Sequence, residues 1–74
     1  MEDNLIPLAL AHISEKRIVR RIAAGNRLRE HVKNLGLTTG TSIYIEDILG
    51  GNAIIRINDR RVAVSRELAV KILV

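Results

Sequence analysis

What most limits how this chain can fold is a short helix with an abrupt stop, written in Arg27-Leu28-Arg29-Glu30-His31-Val32-Lys33-Asn34-Leu35-Gly36-Leu37. Leu28, Val32 and Leu35 fall at i, i+4 and i+7, which sets three aliphatic side chains on one helical face and directs Arg29, Glu30 and Lys33 elsewhere. Asn26 stands where an N-cap is expected. Gly36 supplies the left-handed conformation that closes a helix, and Leu37 follows where a Schellman closure brings it back onto Val32. The rest of the chain reads as strand and turn around this element.

Before the helix, Leu5 to Ile13 is densely apolar, with one helical turn expected after Pro7. Lys16-Arg17-Ile18-Val19-Arg20-Arg21-Ile22 is rich in β-branched residues and reads as a strand. Its alternation is imperfect, because Ile18 and Ile22 share a face with Arg20 between them, so a bulge or an open edge is expected there. Past Gly40 the period changes to two. Ile43 and Ile45 face inward with Tyr44 and Glu46 outward, and after the turn signal Gly50-Gly51-Asn52 a second strand carries Ile55 and Ile57. Asn58-Asp59 predicts a tight hairpin into Arg60 to Val64, with Val62 and Val64 facing in. Ser65 is placed to cap a turn through Leu68, after which Ala69 to Val74 returns extended. Leu35, Ile45, Ile55 and Val64 are expected to share one core. Five short strands with one helix inserted after the first predict a mainly β fold, a small, partly open β-barrel.

Size narrows the function. A chain of 74 residues reads as a single domain, residues 1–74. A domain this small buries only about 60% of the surface that its unfolded chain exposes. Cysteine is absent, which removes disulfides and thiolate chemistry and fits a reducing, cytoplasmic setting. The apolar run from Leu5 to Ile13 is too short to span a bilayer, contains Pro7 and follows Glu2 and Asp3, so neither a signal peptide nor direct membrane insertion is expected.

Two blocks carry a resemblance: Leu35-Gly36-Leu37-Thr38-Thr39-Gly40-Thr41, and Arg61-Val62-Ala63-Val64-Ser65-Arg66-Glu67-Leu68-Ala69-Val70-Lys71-Ile72-Leu73-Val74. In that order, and over roughly Leu8 to the last residue, the chain resembles the FeoA family of ferrous-iron-uptake accessory proteins. The resemblance implies an SH3-like barrel and a cytoplasmic role. It also implies a partner, the FeoB-type ferrous iron transporter with its cytoplasmic GTP-binding region, which the small protein would assist or regulate. Two positions depart from the family pattern. His31-Val32 stands where arginine and leucine are frequent, and Ser14 stands where a glycine commonly opens the first strand. The same barrel also occurs at the C-terminus of iron-dependent repressors of the DtxR type, but this chain has no helix-turn-helix to accompany it.

Charge is the second signal. Twelve basic against eight acidic residues give a net charge of +4. The basic residues cluster at Lys16 to Lys33 and again at Arg56 to Arg66. Such a surface can solubilise the protein, meet an acidic protein partner or neutralise phosphates, which makes a small basic nucleic-acid-binding barrel the alternative reading. Single-strand binders stack bases on several aromatic side chains, and this chain offers only Tyr44, so nucleic acid is the weaker of the two partners.

No catalytic constellation is legible. His12 and His31 lack further ligands at metal spacing, so neither a metal site nor a cofactor is expected. Glu46 and Asp47 are adjacent and point to opposite faces of a strand, and the glycines lack the Lys-Ser or Lys-Thr of a phosphate-binding loop. The expected activity is binding, not catalysis. Nine of the twelve basic residues are arginine, the cation preferred at interfaces. Arginine, lysine and apolar groups meet a rigid turn at the helix exit, so partner contact is expected at Arg29, Lys33, Leu37 and Thr38. Self-association is left open by the sequence.

Overall fold

Beyond Gly40 the backbone follows the two-residue period. Ser42–Leu49 (β3), Asn52–Ile57 (β4) and Arg60–Val64 (β5) form an antiparallel meander with Ile43, Ile45, Ile55, Ile57, Val62 and Val64 turned into the core. Both hairpins have two-residue loops. Gly50 and Gly51 take φ of +59° and +88°, and Asn58 takes +57°, left-handed conformations that glycine and asparagine tolerate. The structure, a computed structural model, describes residues 4–74; the first three residues of the expected domain lie outside the described residues.

The stretch from Lys16 to Ile22 is two strands where one was expected. Lys16–Ile18 (β1) pairs with β3, whereas Arg21–Ile22 (β2) pairs with Ile72–Leu73 (β6), both antiparallel. The crossing is at Val19. Its N–H donates to Thr41 O at 2.9 Å, while the next N–H, of Arg20, donates to Leu73 O at 2.8 Å in the other sheet. Val19 is completely buried and Ile18 is 39% exposed, so the core-facing parity shifts between Val19 and Ile22. That shift is the physical source of the imperfect alternation. The described residues thus hold six strands, in a four-stranded sheet of order β1-β3-β4-β5 and a two-stranded sheet β2-β6.

The expected turn after Pro7 is a 3-10 turn at Leu8–Leu10, with Leu8 fully buried. The segment before it is tied to the end of the chain, since Ile6 and Val74 exchange both backbone hydrogen bonds and Pro7 bridges Leu73. Ser14 sits at φ +64°, a left-handed position. Glycine takes such a conformation readily, whereas serine is strained in it.

Two caps differ from expectation. The helix Asn26–Asn34 (α1) begins one residue early: Gly25, in an extended conformation, is the N-cap and accepts the Arg29 N–H at 3.0 Å, so Asn26 lies inside the helix. The short helix Arg66–Ala69 (α2) has Ser65 at its N-cap, but the serine side chain makes no capping bond. Asn52 supplies it instead, its Oδ1 accepting the Arg66 N–H at 2.9 Å while its Nδ2 donates to Leu49 O at 3.1 Å. The core also differs by one member. Ile45, Ile55 and Val64 share it as expected, but Leu35 only packs half-buried against its edge, and Leu37 takes the fully buried place.

Candidate functional site at the helix exit

Sequence spacing alone determines how α1 ends. Gly36 adopts φ +93°, its N–H donates to Lys33 O at 2.9 Å, and the Leu37 N–H donates to Val32 O at 3.1 Å. This pair of bonds is the Schellman closure. Arg60, at the start of β5, reaches across and donates from Nη2 to Leu35 O at 3.3 Å, placing a cation at the negative end of the helix.

The following turn is held from two sides. The Thr38 N–H donates to Thr41 Oγ1 at 3.3 Å, the two hydroxyls lie 3.0 Å apart, and the Thr41 N–H returns to Thr38 O at 3.0 Å. Gly40 N–H then donates to Val19 O at 2.7 Å. The residue at which the first strand changes sheets therefore also anchors the helix exit, which makes the exit part of the barrel and not a free loop.

Between α1 and this turn lies an open groove of about 330 Å³, lined by Ile22, Asn26, Arg29, Glu30, Lys33, Leu37, Thr38 and Thr39. All four residues expected at the contact, Arg29, Lys33, Leu37 and Thr38, border it. They do not play equal parts. Arg29, Lys33 and Thr38 are exposed, whereas Leu37 has no exposed surface and lies beneath the floor. Leu37 is thereby removed as a contact residue, because the closure that positions it also turns its side chain inward. Arg29 makes one long bond, Nη1 to Ile22 O at 3.4 Å, toward the end of β2. Asn26, Glu30 and Thr39 were missed in sequence. Asn26, Glu30 and Lys33 at i, i+4 and i+7 mark the same helical face, so the helical period could have found two of them.

Elsewhere the charges are organised around Glu46. Glu46 is the extra residue of a β-bulge, where the register of β3 on β4 shifts between Ile45 and Asp47. Its carboxylate accepts from Arg56 Nε at 2.8 Å and lies 2.6 Å from Arg56 Nη2; its other oxygen accepts from Arg61 Nε at 2.7 Å. The Arg56 hydrogen bond, followed by that of Arg61, holds the Glu46 carboxyl below the ordinary carboxylate range. Among the described residues no polar or charged side chain is buried, and no group of three His, Cys, Asp or Glu stands at metal-binding distance. No helix of the described residues is long and apolar enough to cross a membrane.

A family model described as the FeoA domain matches residues 6–74. Among solved structures, a crystal structure of an iron uptake regulatory protein (FeoA) is 27% identical, superposes with a TM-score of 0.86 and covers 93% of both chains. A FeoA-like protein from Clostridium acetobutylicum is also 27% identical, with a TM-score of 0.80 over 93% of this chain and 83% of that one. A manganese-dependent transcriptional repressor, 16% identical, matches at a TM-score of 0.86 over 96% of this chain and 41% of its own, a likeness of fold alone. No curated protein sequence matches. The shared fold is the small SH3-like β domain that the resemblance implied.

Proposed function

Because the chain belongs to the FeoA family, whose model spans residues 6–74, we propose that it is a cytoplasmic accessory protein of ferrous iron uptake, regulating a FeoB-type transporter by binding its cytoplasmic region. The observation that carries the reading to a surface is the groove at the end of α1, where Arg29 and Lys33 on the helix and Thr38 on the turn line the opening over a floor fixed by the helix closure. Arg29 and Lys33 are one helical turn apart and share that side of α1. Thr38 is locked by Thr41. A contact patch held this way binds without ordering a loop, which spares affinity the usual entropic cost.

A binding role also suits the chemistry at hand. The groove is lined by two cations, one carboxylate and hydroxyl and amide groups, with no desolvated acid or base among them. Such a surface complements an acidic patch and sets orientation and association rate more than raw affinity. The test is the double variant Arg29→Glu with Lys33→Glu, measured for binding to the transporter's cytoplasmic region at two salt concentrations beside a thermal melt. Exposed charges contribute little to stability, so the melt should hardly move, while association slows about tenfold or more at low salt and the salt dependence changes. Unaltered binding with an unaltered melt would remove this surface from the interface.

A further inference from the structure

The register of the four-stranded sheet aligns chemistry that the sequence disperses over 45 residues. Lys16 on β1 pairs with Tyr44 on β3, Tyr44 pairs with Arg56 on β4, and Arg56 pairs with Arg61 on β5. The residues flanking Tyr44 and Arg56, and Val62 after Arg61, face the core, so these three stand on the outer face, and Lys16 is exposed beside them. With strands about 4.8 Å apart, the row spans roughly 14 Å. Second in it, between Lys16 and Arg56, is the chain's one aromatic ring, 37% exposed. Beside the ring is a pocket of about 350 Å³, which Lys16, Ser42, Ile43, Tyr44, Arg56 and Asn58 line. It shares no residue with the groove at the helix exit.

We propose that this face binds a nucleoside polyphosphate, with the base against Tyr44 and the phosphates along Arg56 and Arg61. An aromatic face with two arginines in line on one side of it suits a ligand that is planar at one end and multiply anionic at the other. A single ring stacks a single base, which favours a mononucleotide over a strand of nucleic acid. An acidic peptide would match the cations but leave the ring unused. Ser42 and Asn58 add a hydroxyl and an amide at the pocket wall, the few polar groups that fix a ligand's orientation.

Glu46 prepares the cationic end. It engages Nε and Nη2 of Arg56 and Nε of Arg61, and a guanidinium has five N–H donors, so both arginines are held in place with donors remaining for phosphate. Three cations against one carboxylate leave the row positive. The pocket's volume lies within the range of small-molecule sites. None of this requires the transporter, so the inference stands apart from the helix-exit surface.

The experiment follows the Tyr44 ring protons and backbone amides of the 74-residue chain by NMR in magnesium-free buffer. The ligands are ATP, adenosine, inorganic tripolyphosphate and an eight-nucleotide oligothymidine. ATP should shift the Tyr44 ring signals upfield and saturably, and bind more tightly than tripolyphosphate. Tyr44→Leu should weaken ATP by about 5- to 150-fold, the range of one base stacked on one aromatic, and leave tripolyphosphate unchanged. Arg61→Ala should weaken both. Both variants alter exposed positions, and their amide spectra report that they fold. Arg29→Glu with Lys33→Glu should leave ATP binding unchanged. Unmoved Tyr44 signals, ATP binding no tighter than tripolyphosphate, or an indifferent Tyr44→Leu variant would overturn the proposal. Oligothymidine binding more tightly than ATP would overturn it in favour of single-stranded nucleic acid.

Discussion

Replacing Gly36 with alanine isolates the backbone conformation on which the helix exit depends. At φ +93° an L-residue is strained by about 1–2 kcal/mol. The new Cβ would stand 2.6 Å from Arg60 Nη2 and 3.8 Å from Ile57 Cδ1. The guanidinium is the far end of a flexible side chain and can withdraw, but it then gives up the 3.3 Å bond to Leu35 O, an exposed contact that contributes about 0.5–1 kcal/mol. Alanine also narrows the unfolded ensemble, which offsets about 0.4–1 kcal/mol. The net expectation is a loss of roughly 1–2 kcal/mol, out of about 4–11 kcal/mol for a domain of this size. In a melt that is about 4–8 °C per kcal/mol. Denaturation of Gly36→Ala, Arg60→Ala and the double variant tests each part. Arg60→Ala alone should cost at most about 1 kcal/mol, and it should cost nothing further in the Gly36→Ala background, where the new methyl group has already displaced the guanidinium. An unchanged midpoint for Gly36→Ala would refute the strain, and strictly additive losses would refute the displacement.

Three other outcomes follow from the geometry. Ser14→Gly should stabilise by about 0.5–1 kcal/mol, because it relieves a left-handed serine at φ +64° at the expense of some chain entropy, and urea denaturation reads the shift. Asn52→Ala should cost about 1 kcal/mol by uncapping α2, whereas Ser65→Ala should be nearly neutral, reversing the order that the sequence around the helix would suggest. In a carboxylate NMR titration Glu46 should titrate below the ordinary glutamate range, and Arg56→Ala should raise its midpoint. Since the folded-state value is depressed, the stabilisation by this cluster is complete above the unfolded value and is lost as pH falls through the folded one.

What the sequence made legible was local. The helix and its stop, the inward alternation of β3 to β5 and both two-residue hairpins depend on residues within a few positions of one another, so period and turn chemistry suffice to find them. The split of the first strand was hidden because Val19 and Arg20 send their N–H groups to partners at Thr41 and Leu73, which no local pattern foretells. The same holds for the α2 cap, supplied by Asn52 from fourteen residues away, and for the two arginines gathered by Glu46. In the groove, Arg29, Lys33 and Thr38 were expected from their nearness to the turn, and the structure places all three, exposed, in its lining. Sequence misjudged Leu37 because a leucine at a Schellman closure serves either as plug or as contact, and only the packing under Val32 decides between them.

The central claim is that the end of α1 meets the transporter. It is tested most directly by the amide spectrum of the labelled chain on addition of the transporter's cytoplasmic region. The account predicts that the strongest shifts and broadening fall on Arg29, Lys33, Thr38 and Thr39, at the rim of the groove, with Tyr44 and Arg56 little changed. Perturbations confined to the Tyr44 face, or none at concentrations where the transporter is engaged, would contradict it.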